Sequence, residues 1–382
     1  MNLDSGARSA ADDGSLGIRC RWCGRLLVIC ISLLGLIQLT GCRPADRSLA
    51  AVGARATAQL TAALATGDRA AFEAVLSAMT EERRAMLWRN LYQLGDVEFL
   101  AATGDTWQVA WRVPGETGLA WHELRVWWSC KGNCRVTELS QRPGKPTPIW
   151  LVQPIGLYLG TGVAIIGDGT AANWLTAAHR ARAQLATADA AGLLRPPELL
   201  IFELPRGKTE LEQVLAAPAT DFQQTGALTW LADSGRPTAR EAVAAPPRVV
   251  VNPLTTTELT EDQQALLLAH EAVHAATGWL GAPVAGRRWV SEGLAESVAL
   301  ELSADEQARS LARLRQLCPI DPTPPQDSWF ADLNRSLAAY AWSAWAVAQL
   351  TTQDGGIEMI KALWADPEAR WSGPVVDPQL CA

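Results

Sequence analysis

The chain has 382 residues, 48% of them hydrophobic, with 33 basic and 40 acidic side chains and a net charge of −7. This composition is too apolar for a disordered chain, and the length suits two domains of about 100 to 200 residues each. The acidic balance provides no basic stripe to follow a phosphate backbone, so no nucleic-acid partner is expected.

Arg19, Arg21 and Arg25 precede an apolar run from Leu26 to Leu39. At about 14 residues the run is shorter than the roughly 20 needed to span a bilayer, and it has the form of a secretory signal. It ends in Leu39-Thr40-Gly41-Cys42, which resembles the bacterial lipobox. The resemblance implies cleavage before Cys42, removal of residues 1–41, and a lipid on Cys42. The protein would then sit on the extracytoplasmic face of the cell membrane. Of the eight cysteines, Cys130, Cys134, Cys318 and Cys381 remain once the signal segment and Cys42 are set aside. An even number suits disulfides in an oxidising compartment. Cys130 and Cys134 flank the turn Lys131-Gly132-Asn133, which leaves Cys318 to pair with Cys381. A zinc cluster is the alternative, but no histidine lies near either pair.

Residues 42–147 read as a small α+β domain. Ala-rich helical runs cover 48–66 and 70–78, broken by Gly67-Asp68, and strand-like runs follow at 106–113, 121–129 and 135–139. Trp107, Val109 and Trp111 alternate with Gln108 and mark one apolar face. Through Ala63-Leu64-Ala65-Thr66-Gly67-Asp68 and its element order, this segment is similar to the nuclear-transport-factor-like cone fold. Gln141 to Pro148, with three prolines and a glycine, reads as a linker. Residues 148–382 then form the second domain. Strands at 163–166, 199–204 and 248–252 alternate with a helix over 171–186, and everything beyond Thr260 reads as helical.

His270-Glu271-Ala272-Val273-His274 is a His-Glu-x-x-His motif in a chain with four histidines. Chance supplies it about 0.002 times in a chain of this length and composition. Thr260 and Gln263 form a capping box, Leu266, Ala269 and Val273 form a stripe, and Gly278 stops a helix of about 17 residues. On that helix His270 and His274 share a face and can direct two imidazoles at one ion, a spacing that suits Zn2+. Glu271 lies about 100° further round, beside the ion, where it can serve as general base. Catalytic zinc normally has three protein ligands, so a third must come from elsewhere.

A metzincin would place glycine and histidine where Thr277 and Leu280 stand, which excludes that family. Downstream lies Trp289-Val290-Ser291-Glu292-Gly293-Leu294-Ala295-Glu296, opening a second helical run. Over roughly residues 150–370 the chain resembles the gluzincin zinc metallopeptidases, most closely the peptidase MA-like domains of secreted bacterial proteins. The resemblance implies a thermolysin-like, two-lobed peptidase domain with a helical carboxyl-terminal lobe. It implies Glu292, with 17 residues between it and His274, as the third metal ligand, and Glu296 as a second acidic residue that accepts a ring N–H. Tyr340 has two readings: a packed helix tyrosine or, as the resemblance implies, the donor of a hydrogen bond to the tetrahedral intermediate.

The expected function is therefore that of a lipid-anchored zinc peptidase acting on a peptide or protein substrate. The alternative is an inactive peptidase-like lipoprotein that only binds. Strand 248–252 is the expected edge for pairing with an extended peptide. His122 and His179 read as structural.

Overall fold

The computed structural model describes residues 44–131, 133–188, 192–233, 245–375 and 378–381. The signal-like run and Cys42 lie outside the described residues. Among the described residues no helix is long and apolar enough to cross a membrane.

Three helices come first: α1 (Pro44–Thr66), α2 (Arg69–Val75) and α3 (Glu81–Tyr92). Asp68 accepts the Ala71 N–H to cap α2, and Thr80 accepts the Arg83 N–H to cap α3. Helix α3 was not among the expected elements, although Thr80-Glu81-Glu82 carries an N-terminal signal. Its apolar face of Met86, Leu87 and Leu91 is crowded by charged neighbours. The strands β1 (Asp96–Ala101), β2 (Thr106–Arg112), β3 (Ala120–Lys131) and β4 (Asn133–Gln141) follow as an antiparallel meander in sequence order. Trp107, Val109 and Trp111 are all buried, as their alternation predicts. A disulfide joins Cys130 to Cys134 at the β3–β4 turn, and a second joins Cys318 to Cys381, so both expected pairs are present.

A short helix, α4 (Ile149–Val152), leads into the second sheet. Its elements are β5 (Gly156–Gly160), β6 (Val163–Gly167), α5 (Leu175–Ala188), β7 (Leu200–Leu204), α6 (Lys208–Leu215), β8 (Ala227–Leu231) and β9 (Pro247–Val251). The strand order is β5-β6-β7-β9-β8, with β6, β7 and β9 parallel and the two outer strands antiparallel. The expectation that strand 248–252 forms an edge is therefore corrected. That strand, β9, is internal, because β8 pairs along it with Thr229 opposite Val249 and Trp230 opposite Arg248. The run Val249-Val250-Val251 is apolar on both faces, as befits a strand covered on both sides.

Both faces of this sheet are indeed buried. Val163, Ile165, Phe202, Val249 and Val251 join one core with the later helices. Ala164, Ile166, Ile201 and Val250 join a second core with Phe72, Trp107, Trp111 and Leu124 of the amino-terminal elements. The first sheet thus packs on the back of the second, and the expected linker is anchored at Thr147, whose N–H donates to the Gln213 carbonyl. Arg248, fully buried, donates to both carboxylate oxygens of Glu116 and lies over the Trp111 ring, with Glu203 3.6 Å from its Nε.

Helix α7 (Pro253–Thr256) precedes α8 (Glu261–Thr277), α9 (Arg288–Leu300), α10 (Ala304–Arg315), α11 (Ser336–Thr351) and α12 (Gly356–Ala365). The chain is therefore a mixed α/β protein with two sheets, and helical beyond Thr260 as expected. Helix α9 lies against α11 at Gly293, where an added Cβ would stand 2.4 Å from the Ser343 carbonyl oxygen. Only a residue without a side chain permits that approach.

Candidate metal centre

Helix α8 carries the His-Glu-x-x-His motif and starts at the expected capping box. Thr260 accepts from the Gln263 N–H, and the Gln263 side chain accepts from the Thr260 N–H. Its buried face includes Leu268, Ala272, Val273 and Ala276. The outward turn leaves His270 and His274 with ring centroids 5.0 Å apart. Helix α9 brings Glu292 to the same point. His270, His274 and Glu292 offer ligand atoms that all lie within 4.8 Å of one another, a group that could hold a metal ion.

The pairwise distances are short. His270 Nε2 is 3.2 Å from His274 Nε2 and 3.3 Å from Glu292 Oε2, and His274 Nε2 is 3.6 Å from that same oxygen. Two ring nitrogens and a carboxylate oxygen facing one another concentrate lone pairs, which either a proton on one ring or a shared cation relieves. The far side of each ring is also engaged. His270 Nδ1 lies 3.2 Å from Glu296 Oε2, and His274 Nδ1 lies 3.3 Å from Ser291 Oγ. With its proton on Nδ1, each imidazole turns the Nε2 lone pair inward, the tautomer a metal ligand needs.

Burial and these close contacts also shift the proton equilibria. Burial lowers the affinity of His270 for a proton, but hydrogen bonds to Glu292 and Glu296 outweigh it and push the imidazole up to about 10. Burial acts to raise Glu292, and its bonds to His270 and His274 prevail and hold the carboxyl well below its usual range. Glu292 Oε1 accepts a 2.9 Å hydrogen bond from Arg288 Nε.

Glu271 is buried next to this group. Thr229 Oγ1, on edge strand β8, lies 2.7 Å from its Oε2 and 3.0 Å from its main-chain oxygen. Tyr340, on α11, has its ring 5.8 Å from that of His270 and 5.2 Å from that of Phe330. Burial, and then the charge of Glu292, push the Tyr340 phenol up, so it stays a neutral donor.

The residues singled out in the sequence thus divide. His270, Glu271, His274, Glu292, Glu296 and Tyr340 converge. His122 is elsewhere, buried in the first sheet with Nδ1 3.3 Å from the Pro146 carbonyl and its ring against Trp111. His179 is on α5, beside Gly160. Three neighbours escaped the sequence reading. Arg288 stands four residues before Glu292 and was accessible as an i,i+4 pair. Ser291 adjoins the ligand, and Thr229 carries no local signal. No protein-family model, curated protein or solved structure matches the chain.

Proposed function

We propose that the protein is a zinc metallopeptidase in which His270, His274 and Glu292 hold Zn2+ and Glu271 is the general base. The observation that carries this reading is the convergence of two Nε2 atoms and one Oε2 atom at 3.2, 3.3 and 3.6 Å, beside a buried glutamate. Ligands on zinc at about 2.0–2.1 Å in a tetrahedron stand about 3.3 Å apart, which those separations match. Three protein ligands leave a fourth position open, the arrangement of catalytic sites, whereas structural sites are closed by four.

Zinc bound there would supply Lewis acidity toward a scissile carbonyl and toward water. The protein's part falls to four side chains. Glu271, with Oε2 held by Thr229, has an Oε1 that accepts no hydrogen bond among the described residues and is free to take the proton of an attacking water. Glu271 then returns that proton to the departing amine. Tyr340 donates a hydrogen bond to the carbonyl oxygen as negative charge develops on it. Glu296 and Ser291 hold the two imidazoles in orientation. The substrate's extended backbone pairs with β8, the edge strand beside Glu271, and the mixed sheet and the helices beyond Thr260 serve as the two lobes of a thermolysin-like cleft. The lipobox-like Leu39-Thr40-Gly41-Cys42 supports attachment to the extracytoplasmic face of the membrane through lipid on Cys42.

The test is metal analysis of the purified protein together with digestion of casein or a peptide library. One zinc per chain and hydrolysis are expected. Glu271→Gln should keep the zinc and lose about 10²- to 10⁴-fold in rate. Hydrolysis that persists in the Gln variant overturns the mechanism, and zinc that persists after both histidines are replaced overturns the site.

A further inference from the structure

We infer that Arg288 is a positioning residue that makes Glu292 a one-oxygen metal ligand, reserving the remaining face of the ion for substrate. The inference rests on the metal-site reading above and adds to it a constraint that the ligand set alone does not contain. A carboxylate has two equivalent oxygens and can bind a cation through one or both. In Glu292 the two are made unequal. Oε2 faces His270 Nε2 and His274 Nε2 at 3.3 and 3.6 Å, whereas Oε1 accepts the Arg288 Nε–H at 2.9 Å. An oxygen bound to a guanidinium is a poor donor to a second cation, so Glu292 enters the site through Oε2.

Arg288 is itself held from three directions. Its main-chain N–H donates to Asp327 Oδ1 at 3.1 Å, and Asp327 Oδ2 accepts the Gly286 N–H at 2.9 Å, so Asp327 anchors the start of α9. The guanidinium carbon lies 5.2 Å from the centre of the Phe330 ring, within cation–π range. Asp327 and Phe330 belong to one short 3₁₀ turn, Asp327–Ala331. Arg288 and Glu292 are one helical turn apart, so their side chains are neighbours on the helix surface. Glu292 is buried. Removing the donor would free Oε1 to swing onto the ion and occupy the face that substrate needs.

Cobalt(II) serves as the probe, because its visible absorption is stronger in four-coordinate sites than in five-coordinate ones. The full chain is loaded with Co2+, as wild type, Arg288→Met and Arg288→Lys. Met keeps the aliphatic stem without a donor, and Lys keeps a donor. Wild type and the Lys variant should show the intense four-coordinate spectrum, and the Met variant, fully loaded, should lose intensity severalfold. An unchanged spectrum in the loaded Met variant overturns the inference. A second measurement needs no variant: X-ray absorption of the wild-type zinc form should show a one-oxygen carboxylate, and a two-oxygen carboxylate overturns the inference directly. Failure of the metal site itself has a different signature, namely no uptake of Co2+ or zinc by wild type, in which case the role of Arg288 falls with it. Metal uptake without peptide hydrolysis would count against the peptidase reading alone and leave the spectra to decide on Arg288.

Discussion

Thr229 Oγ1 stands 2.7 Å from Glu271 Oε2, a hydrogen bond that joins the outer strand of the second sheet to the helix of the His-Glu-x-x-His motif. The two residues are 42 positions apart, and the contact places the candidate general base in a defined relation to the strand that would carry substrate.

Thr229→Val preserves shape and removes the hydroxyl. A hydrogen bond to a charged group contributes about 1.5–3 kcal/mol, so kcat should fall about 10- to 100-fold with zinc content unchanged. Thr229→Ser should restore most of it. Steady-state kinetics beside metal analysis checks this, and equal rates for Val and wild type would show that Thr229 does not orient the base.

Gly293→Ala should be far more damaging than its size suggests. The new Cβ would meet the Ser343 carbonyl oxygen at 2.4 Å and its carbon at 2.7 Å, main-chain atoms that cannot step aside. Forcing α9 and α11 apart costs about 1–3 kcal/mol or more, and it moves the residue next to Glu292. Denaturant unfolding should show lowered stability, and isothermal titration should show weaker zinc binding. Wild-type values for both would refute the packing argument.

The buried groups between the two sheets predict an unusual pH dependence. Burial, reinforced by Arg248 and partly offset by the Pro146 carbonyl, drives His122 down to about 3. Unfolded His122 therefore takes up a proton below about 6.5 that the native state refuses down to about 3, so this group costs stability as pH falls through that window. Burial raises Glu203 to about 7, with Arg248 opposing and Glu116 assisting. Native Glu203 keeps a proton that the unfolded chain has lost above about 4.5, so it contributes stability at low pH that is lost as pH rises toward 7. The two slopes have opposite sign and cancel between about 4.5 and 6.5. Glu203→Gln should leave stability falling by a few kcal/mol as pH drops from about 6.5, whereas His122→Phe should leave it falling as pH rises from about 4.5. Urea unfolding across that range checks the signs.

Cys42→Ala should abolish lipid attachment and normal processing, leaving the precursor held by its uncleaved apolar segment. Mass spectrometry of the mature amino terminus decides the matter. An unmodified Cys42, or a mature end far from it, would remove the lipobox reading.

How much was legible in the sequence depended on the range of the interactions. Helix α8 was readable from Thr260 to Thr277 because a capping box, an i,i+4 histidine pair and an apolar stripe are local patterns, set by 3.6 residues per turn. The strand at Val163–Gly167 and the two cysteine pairs were readable for related reasons: an unbroken apolar run, and an even set with one pair astride a turn. What only the tertiary structure decided is what depends on residues distant in sequence. Strand β9 reads as apolar whether it is outer or inner, and only the pairing of β8 along it made it internal. The contact of Thr229 with Glu271 and the closure of α9 on α11 at Gly293 arise where separate elements are pressed together by burial of their apolar faces, which is non-directional and leaves no periodic trace in the chain.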